Sequence, residues 1–293
     1  EDGQIGTYEK EDVAAVLLHL KKNQDDYQAF VEKLQDESVT VGEEDGVSYL
    51  LLTDSNLRKM TGTEEPVETV EAEIVTPTPT PEGNGKKVAI DAGHQAHGNG
   101  EQEPIGPGAS QTKAKVASGT TGRTTGVTEY QLNLDVSLKL RDELEARGYE
   151  VYMIRETNDV DISNAERAQL AAESGADILV RIHANGSDNT SVAGALTMAP
   201  STANPYLSQE LIAECQKLSQ CIITTFCAST GANNQGVYQT DEMSGLNWCS
   251  IPATIVEMGY MTNPDEDTRM QTAEYQQQMV TGIADGIDQY FAS

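Results

Sequence analysis

Two histidines and two glutamates stand where the chain leaves a predicted strand or enters a predicted helix. His94 follows "KVAIDAG", and His183 closes the run "DILVRIH". Glu257 lies near the end of "PATIVEM", and Glu129 follows Thr128 at the predicted start of a helix. Imidazole and carboxylate groups bind metal ions and transfer protons. These four side chains are therefore the candidates for chemistry.

The residue types at these positions fit more than one kind of site. Two imidazoles and one carboxylate are the ligands of a catalytic zinc ion that keeps its fourth position open. The same set binds Fe(II) in non-haem oxygenases. A third interpretation is that His94 and His183 only form hydrogen bonds with loop backbone. The spacing of the residues alone leaves these alternatives open.

Strands and helices alternate after residue 86. The predicted strands are "KVAIDA", "YEVYMIR", "DILVRI", "GALTMA" and "PATIVEM". This alternation predicts an α/β fold with a mostly parallel sheet. Because the carboxyl ends of parallel strands meet at one edge of a sheet, we expect the four candidate side chains to converge there.

Local signals predict where the helices begin. Thr128 and Ser163 are each followed three residues later by a side chain that completes a capping box, Gln131 and Glu166 respectively. Pro205 predicts the start of a long helix that contains three of the four cysteines.

The composition changes sharply ahead of residue 86. Residues 62–85 are rich in Pro, Thr and Glu, which is typical of an extended linker. Residues 1–61 predict a small acidic module, helical or α+β, in which "VSYLLL" is a strand. This module contains no recognisable chemistry. We therefore expect three parts: the module at 1–61, the linker at 62–85 and the α/β domain at 86–293.

Charge and hydropathy exclude several classes of partner. The formal net charge is −28, so we expect nucleic acid to be repelled. No apolar run reaches the roughly 20 residues that span a bilayer. The first residues do not resemble a signal peptide, so we expect any signal or anchor to be missing from this sequence. The sequence does not indicate an oligomeric state.

The four cysteines predict ordinary buried thiols. They are Cys215, Cys221, Cys227 and Cys249, and their spacing offers no C-x-x-C pair for a metal. A disulfide to Cys249 is the alternative. The sequence contains no G-x-S-x-G motif, and no histidine lies near a cysteine in sequence. An enzyme with a serine or cysteine nucleophile is therefore not supported.

Several segments, in order, resemble the zinc-dependent N-acetylmuramoyl-L-alanine amidases of the third amidase family. They are "VAIDAGH", "TEYQLNLDVSLKLRDELEARGYEV", "ADILVRIHAN", "PATIVEMGYMTNPDED" and "GIADGIDQYF". The resemblance covers about residues 87–292 and nothing before the linker.

The resemblance implies a role for each candidate residue. His94, Glu129 and His183 would bind Zn²⁺, and Glu257 would be the catalytic carboxylate. It also implies a six-stranded sheet flanked by helices, with bacterial peptidoglycan as the substrate. The expected location is accordingly the cell wall or the space outside the bacterial cell.

One segment departs from the family pattern. Residues 95–128 form a long insertion, which we expect to be a loop that walls the substrate groove or closes over it. His97 within it, and Asn185 after His183, are weaker candidates for contacts with substrate or with the metal ligands. We expect Arg167 to make a structural contact between helix and sheet, and Trp248 to pack in the core rather than stack on sugar.

Two other functions compete with amide hydrolysis. A non-catalytic peptidoglycan-binding module could keep the same fold, although it has no physical need for all four candidate residues. A non-haem Fe(II) oxygenase would use the two histidines and one carboxylate, but would leave Glu257 without an evident task.

The acidic composition makes a prediction about wall binding. Binding to anionic wall polymers should be weak unless divalent cations screen the repulsion. Sedimentation of the protein with purified walls at low salt, with and without Mg²⁺, measures this. Strong binding at low salt in the absence of divalent cations would contradict the prediction.

Overall fold

The computed structural model describes residues 40–44, 47–51 and 83–293. The chain divides into two units, Glu1–Thr78 and Pro79–Ser293. In the first, strands β1 (Thr40–Glu44) and β2 (Val47–Leu51) pair in antiparallel fashion. The strand predicted for "VSYLLL" is thus confirmed. The helices expected before it, and nearly all of the expected linker, lie outside the described residues.

The second unit contains a six-stranded sheet with the order β6-β3-β7-β10-β8-β9. The strands are β3 (Lys87–Ala92), β6 (Glu150–Met153), β7 (Ile178–Asn185), β8 (Ala195–Ala199), β9 (Asn234–Gln239) and β10 (Ala253–Tyr260). Strands β6, β3, β7 and β10 are mutually parallel, whereas β8 runs antiparallel to β10 and parallel to β9. The expected α/β fold with a mostly parallel six-stranded sheet is confirmed.

Strand β9 was not among the predicted strands. Its sequence, "NQGVYQ", is short and polar, and it lies at the edge of the sheet. An edge strand buries less apolar surface than a central strand, so its sequence carries little of the hydrophobic pattern from which strands are predicted.

Six helices of the second unit are described. They are α1 (Glu129–Ala146), α2 (Asn164–Glu173), α3 (Gln209–Thr230), α4 (Ser244–Asn247), α5 (Pro264–Met270) and α6 (Ala273–Phe291). Helices α1, α3 and α6 cover one face of the sheet in a single apolar cluster, and α2 packs against the other face. Among the described residues, none of the helices combines the length and hydropathy needed to cross a membrane.

The helix starts agree with the sequence only in part. Ser163 and Glu166 form the predicted capping box at α2. The capping box predicted for Thr128 is wrong: the Thr128 side chain makes no cap hydrogen bond, and the Gln131 amide donates to Asp135 instead. Helix α3 begins at Gln209, with Ser208 as its N-cap, and not near Pro205.

The insertion at 95–128 contains regular structure that the sequence analysis treated as loop. Strands β4 (Asn99–Pro104) and β5 (Thr112–Val116) pair as an antiparallel hairpin. The hairpin is tied to the sheet domain, because Trp248 Nε1 donates to the Pro104 carbonyl at 2.8 Å and Asn164 Nδ2 donates to the Lys115 carbonyl at 2.8 Å. These two hydrogen bonds hold the hairpin against the sheet domain. Trp248 is half-buried and packs against the core, as expected.

All four cysteines are free thiols. Cys215 and Cys249 are buried, and burial raises their pKa values to about 11 and about 12. Such thiols remain protonated at neutral pH, which agrees with the absence of a nucleophilic role. The alternative of a disulfide to Cys249 is not present in the structure.

A buried charge cluster lies on the face of the sheet that α2 covers. Asp91 on β3 accepts hydrogen bonds from Arg167 Nη1 of α2 at 2.7 Å and from Arg181 Nε of β7 at 2.8 Å. All three side chains are almost completely buried. Burial alone would raise the pKa of Asp91, but the two guanidinium groups hold it well below its usual range. The expected helix-to-sheet contact of Arg167 is therefore this ion pair.

The cluster gives a prediction about stability. Asp91→Asn should lower the free energy of unfolding by about 3 kcal/mol or more, because two buried guanidinium groups lose their counter-charge. The control is Asp142→Asn, which removes an exposed partner of Arg141 and should have little effect. Urea unfolding followed by the fluorescence of Trp248, the single tryptophan, measures both. Equal stability of the two variants would contradict this account of the cluster.

Candidate metal centre

The alternation of side chains along β7 and β10 places two of the candidate residues next to each other. His183 and Glu257 are register partners on these parallel strands, so their side chains lie on the same face. His94 follows β3 by two residues, and Glu129 is the first residue of α1. The carboxyl ends of three neighbouring strands and one helix start therefore contribute to one site, as the sequence predicted.

Three of these side chains converge on a single carboxylate oxygen. His94 Nε2 lies 3.0 Å and His183 Nδ1 lies 3.2 Å from Glu129 Oε1. One potential ligand atom from each residue lies within 4.8 Å of the others. Tetrahedral zinc with ligands at 2.0–2.2 Å would separate them by roughly 3.4 Å. The spacing of the three side chains thus fits a shared metal ion.

The hydrogen bonds of His94 support the presence of a cation. Its Nδ1 lies 2.8 Å from the carbonyl oxygen of Ala117, while its Nε2 faces the Glu129 carboxylate. A neutral imidazole has one N–H, so it can satisfy one of these two acceptors. Donation from Nδ1 to the carbonyl leaves the Nε2 lone pair directed at Glu129, which is favourable when a positive ion lies between them.

His183 has a neutral, largely buried imidazole. Its Nε2 is buried and has no hydrogen-bond partner among the described residues. Burial lowers the pKa of His183 to about 4, so the ring is uncharged at neutral pH. Neutral imidazole is the form that binds metals.

Glu129 is fixed in its ionised form. Its Oε2 accepts a hydrogen bond from the Thr120 backbone at 2.9 Å, and its Oε1 accepts one from the Ala184 backbone at 3.2 Å. Burial opposes ionisation, but the polar neighbours of Glu129, His183 first among them, lower the pKa of Glu129 below its usual range. The first turn of α1 also favours a negative charge.

The loop that carries His94 is held by two arginines. Arg155 donates to the carbonyl oxygens of Ala92 and Gly93, and Arg167 Nη2 donates to that of His94 at 3.1 Å. His94 has a φ of 61°, which is rare for a residue other than glycine. The guanidinium groups stabilise this backbone conformation and so place the imidazole beside Glu129.

Glu257 lies in the same cavity without a partner. Its Oε2 is buried and has no hydrogen bond to the described residues. Burial, followed by the negative charge of Glu129, raises the pKa of Glu257 to about 8. A carboxyl group that titrates near neutrality can both accept and release a proton.

The cavity around these residues has a volume of about 300 Å³. Its lining includes His94, His183 and Glu257 from the sheet, and Lys113 and Ala117 from the insertion. The hairpin therefore forms part of the wall, which agrees with the first of the two roles expected for the insertion.

Two weaker candidates lie elsewhere. His97 is exposed and lines a different surface cavity with Asp159 and Asp161. Asn185 uses its side-chain oxygen to accept a hydrogen bond from the Gly186 backbone at 2.8 Å, so it closes a turn. Neither residue lines the cavity of the candidate metal centre. The expectation that they contact substrate or the metal ligands stays a prediction.

Two residues that support the site were not among the candidates from the sequence. Asn133, one helical turn after Glu129, donates to the Gly93 carbonyl at 3.1 Å. Arg181, two residues before His183, lines the cavity. Both follow from periodicity: residues four apart share a helix face, and residues two apart share a strand face. The hydrogen bond between Ala117 and His94 could not be predicted in this way, because it uses the backbone carbonyl of Ala117, which every residue type has.

Comparison with known proteins gives the family. The model of the third amidase family (Amidase_3), N-acetylmuramoyl-L-alanine amidase, matches residues 88–289. The chain belongs to this family. The activity of the family is hydrolysis of the N-acetylmuramoyl-L-alanine amide of peptidoglycan, so the family and the enzyme class expected from the sequence are confirmed, while the zinc ion and the role of Glu257 stay predictions. The family also favours hydrolysis over the oxygenase alternative.

Curated relatives and solved structures agree with this assignment. LytC of Bacillus subtilis is 27% identical over 71% of this chain, but the match covers 36% of LytC. Rv3717 of Mycobacterium tuberculosis is 26% identical over 71% of this chain and 88% of its own length. Ami1 of Mycobacterium smegmatis has a similar structure, with a TM-score of 0.64, 26% identity and coverage of 71% of this chain and 97% of its own.

A glycine beside His183 gives a prediction about metal affinity. A Cβ atom on Gly93 would overlap the imidazole of His183, so Gly93→Ala should displace the ring. We expect Zn²⁺ affinity to fall about 10- to 100-fold, as measured by competition with a chromophoric chelator. The control is Gly100→Ala in the hairpin, where a Cβ would contact nothing within 4 Å. Unchanged affinity in Gly93→Ala would show that His183 is not a ligand.

Proposed function

We propose that residues 86–293 are a zinc-dependent domain that cleaves the amide between the lactyl carbonyl of N-acetylmuramic acid and L-alanine. The observation that carries this proposal is the cavity itself. Three potential ligand atoms converge in it, and a buried, unpartnered carboxyl group lies beside them. A purely wall-binding module has no need for a desolvated carboxyl group at this position, because leaving it unpaired costs free energy.

His94, Glu129 and His183 would hold the ion. Two imidazole nitrogens and one carboxylate oxygen are donors that zinc accepts, and the cavity leaves room for a fourth ligand. When bound, zinc polarises the amide carbonyl and makes water more acidic. The hydrogen bond between His94 and the Ala117 carbonyl would keep the ring oriented toward the ion.

Glu257 would move the proton that hydrolysis requires. An amide resists hydrolysis because its carbon is a poor electrophile and its amine a poor leaving group. Glu257 first accepts a proton from the attacking water and then donates it to the nitrogen of L-alanine. Its raised pKa and its position beside His183 support both steps.

The composition of residues 1–85 suggests roles for the rest of the chain. We propose that residues 62–85 are a tether and that residues 1–61 are a separate module. We also propose that the protein acts outside the bacterial cell, in the wall, since its substrate is located there. One of its relatives is the probable cell wall amidase LytH of Staphylococcus epidermidis, which supports this location.

The proposed role of Glu257 makes a direct prediction. Glu257→Gln should lower the rate of release of stem peptides from purified walls by about 10²–10⁴-fold, because the amide side chain cannot accept the proton. Labelling of newly exposed L-alanine amino groups measures this rate. Zn²⁺ content should remain that of the wild type, since Glu257 is not among the proposed ligands.

A neighbouring carboxylate provides the control. Glu242 is exposed, and its backbone carbonyl contacts Lys113 at the cavity wall. Glu242→Gln should therefore retain activity. Full activity of Glu257→Gln, or release of peptides that still carry disaccharide, would refute the proposed reaction.

A further inference from the structure

One guanidinium of the buried charge cluster also reaches the proposed active site. Arg181 lies two residues before His183 on β7 and is 2% exposed. Its Nε donates to Asp91, and its Nη2 donates to Asn164 Oδ1 at 2.7 Å. Its Nη1 has no hydrogen bond to the described residues, and the side chain lines the same cavity as His183 and Glu257.

The charges around Arg181 do not balance. Arg167 and Arg181 share one carboxylate, that of Asp91, and within 4 Å of either guanidinium no other carboxylate occurs in the described part of the chain. A buried cation without its own counter-charge is unfavourable. An anion bound in the cavity would supply that charge.

The adjoining helix α4 leaves space for this group. A Cβ atom on Gly245 would overlap Arg181 Nη1, so a larger residue there would displace the guanidinium. Ser244 also lines the cavity, and its hydroxyl makes no hydrogen bond with the described residues. A guanidinium nitrogen and a hydroxyl that both lack acceptors match the needs of a carboxylate.

We propose that Arg181 binds a carboxylate on the peptide side of the substrate, so that the enzyme prefers stem peptides with a free carboxylate over the same peptides in amidated form. This inference rests on the proposed function. The N-acetylated glycan is uncharged, so the peptide is the source of the anion. Two residues along β7 span about 6.6 Å. Two residues of an extended peptide span roughly the same distance, which assigns the carboxylate to the second residue after the scissile amide.

A matched pair of substrates tests the preference. We expect kcat/KM for N-acetylmuramoyl-L-alanyl-D-isoglutamate to exceed that for the isoglutamine analogue by about 10- to 100-fold, the range of a charge-assisted hydrogen bond. Arg181→Met should remove this preference, so that the ratio of kcat/KM for the acid substrate to that for the amide, measured with the same variant, falls to about 1. The control is Arg141→Met, which removes an exposed arginine and should retain the preference.

Two further variants keep the test decisive if Arg181→Met is unstable. Gly245→Ala should displace the guanidinium without removing its charge, and Ser244→Ala should remove the hydroxyl alone. Both are expected to reduce the acid preference, the second less than the first. An undiminished preference in Gly245→Ala, or a wild type that cleaves both substrates equally, would overturn the inference.

Calorimetry separates this inference from the proposed function. The dipeptides L-alanyl-D-isoglutamate and L-alanyl-D-isoglutamine are titrated into the full chain, so that no turnover is needed. Tighter binding of the acid, lost in Arg181→Met, supports carboxylate recognition even if wall hydrolysis is absent. Equal affinity for both dipeptides contradicts it even if wall hydrolysis is present.

Discussion

The site depends on one oxygen atom, Glu129 Oε1, which both candidate imidazoles approach. His94 Nε2 and His183 Nδ1 lie 3.0 and 3.2 Å from it, although the three residues come from two strand ends and a helix start. A carboxylate surrounded in this way is stable only when positive charge is available, from protons or from a metal ion. Because the carbonyl of Ala117 occupies the other nitrogen of His94, a shared metal ion satisfies the arrangement most simply.

The rest of the domain holds these groups in place, although burying charged side chains is unfavourable. One face of the sheet is apolar and packs against α1, α3 and α6. The other face carries the polar row of Asp91, Arg181, His183 and Glu257, which α2, α4 and the hairpin enclose. Arg155 and Arg167 bind the carbonyl groups of the loop that contains His94. The buried charges therefore connect the stability of the fold to the geometry of the site.

Much of this arrangement could be predicted from the sequence because its signals are local and periodic. The apolar runs at β3, β7 and β10 identify the central strands, and the residues that follow them identify the edge where His94 and His183 meet Glu129. The hairpin at 99–116 has polar, exposed strands, so it lacks the hydrophobic pattern on which a prediction depends. Thr128 has the spacing of a capping box, yet tertiary contacts of Gln131 determine the outcome.

Closeness in sequence to a proposed ligand was a poor guide to which residues line the cavity. His97 and Asn185 are close in sequence to proposed ligands, but neither lines the cavity of the candidate metal centre. Arg181 lies within a predicted strand, but the sequence does not show which groups its side chain meets. Its partner Asp91 comes from another strand, and only the register of β3 with β7 brings the two together.

Anomalous diffraction at the zinc edge, from crystals of the full chain grown with Zn²⁺, tests the proposed metal centre most directly. We expect one strong peak with His94, Glu129 and His183 as ligands at about 2.0–2.2 Å, and Glu257 beside it without direct coordination. A zinc peak that lacks either histidine as a ligand, or no peak in this cavity, would contradict it.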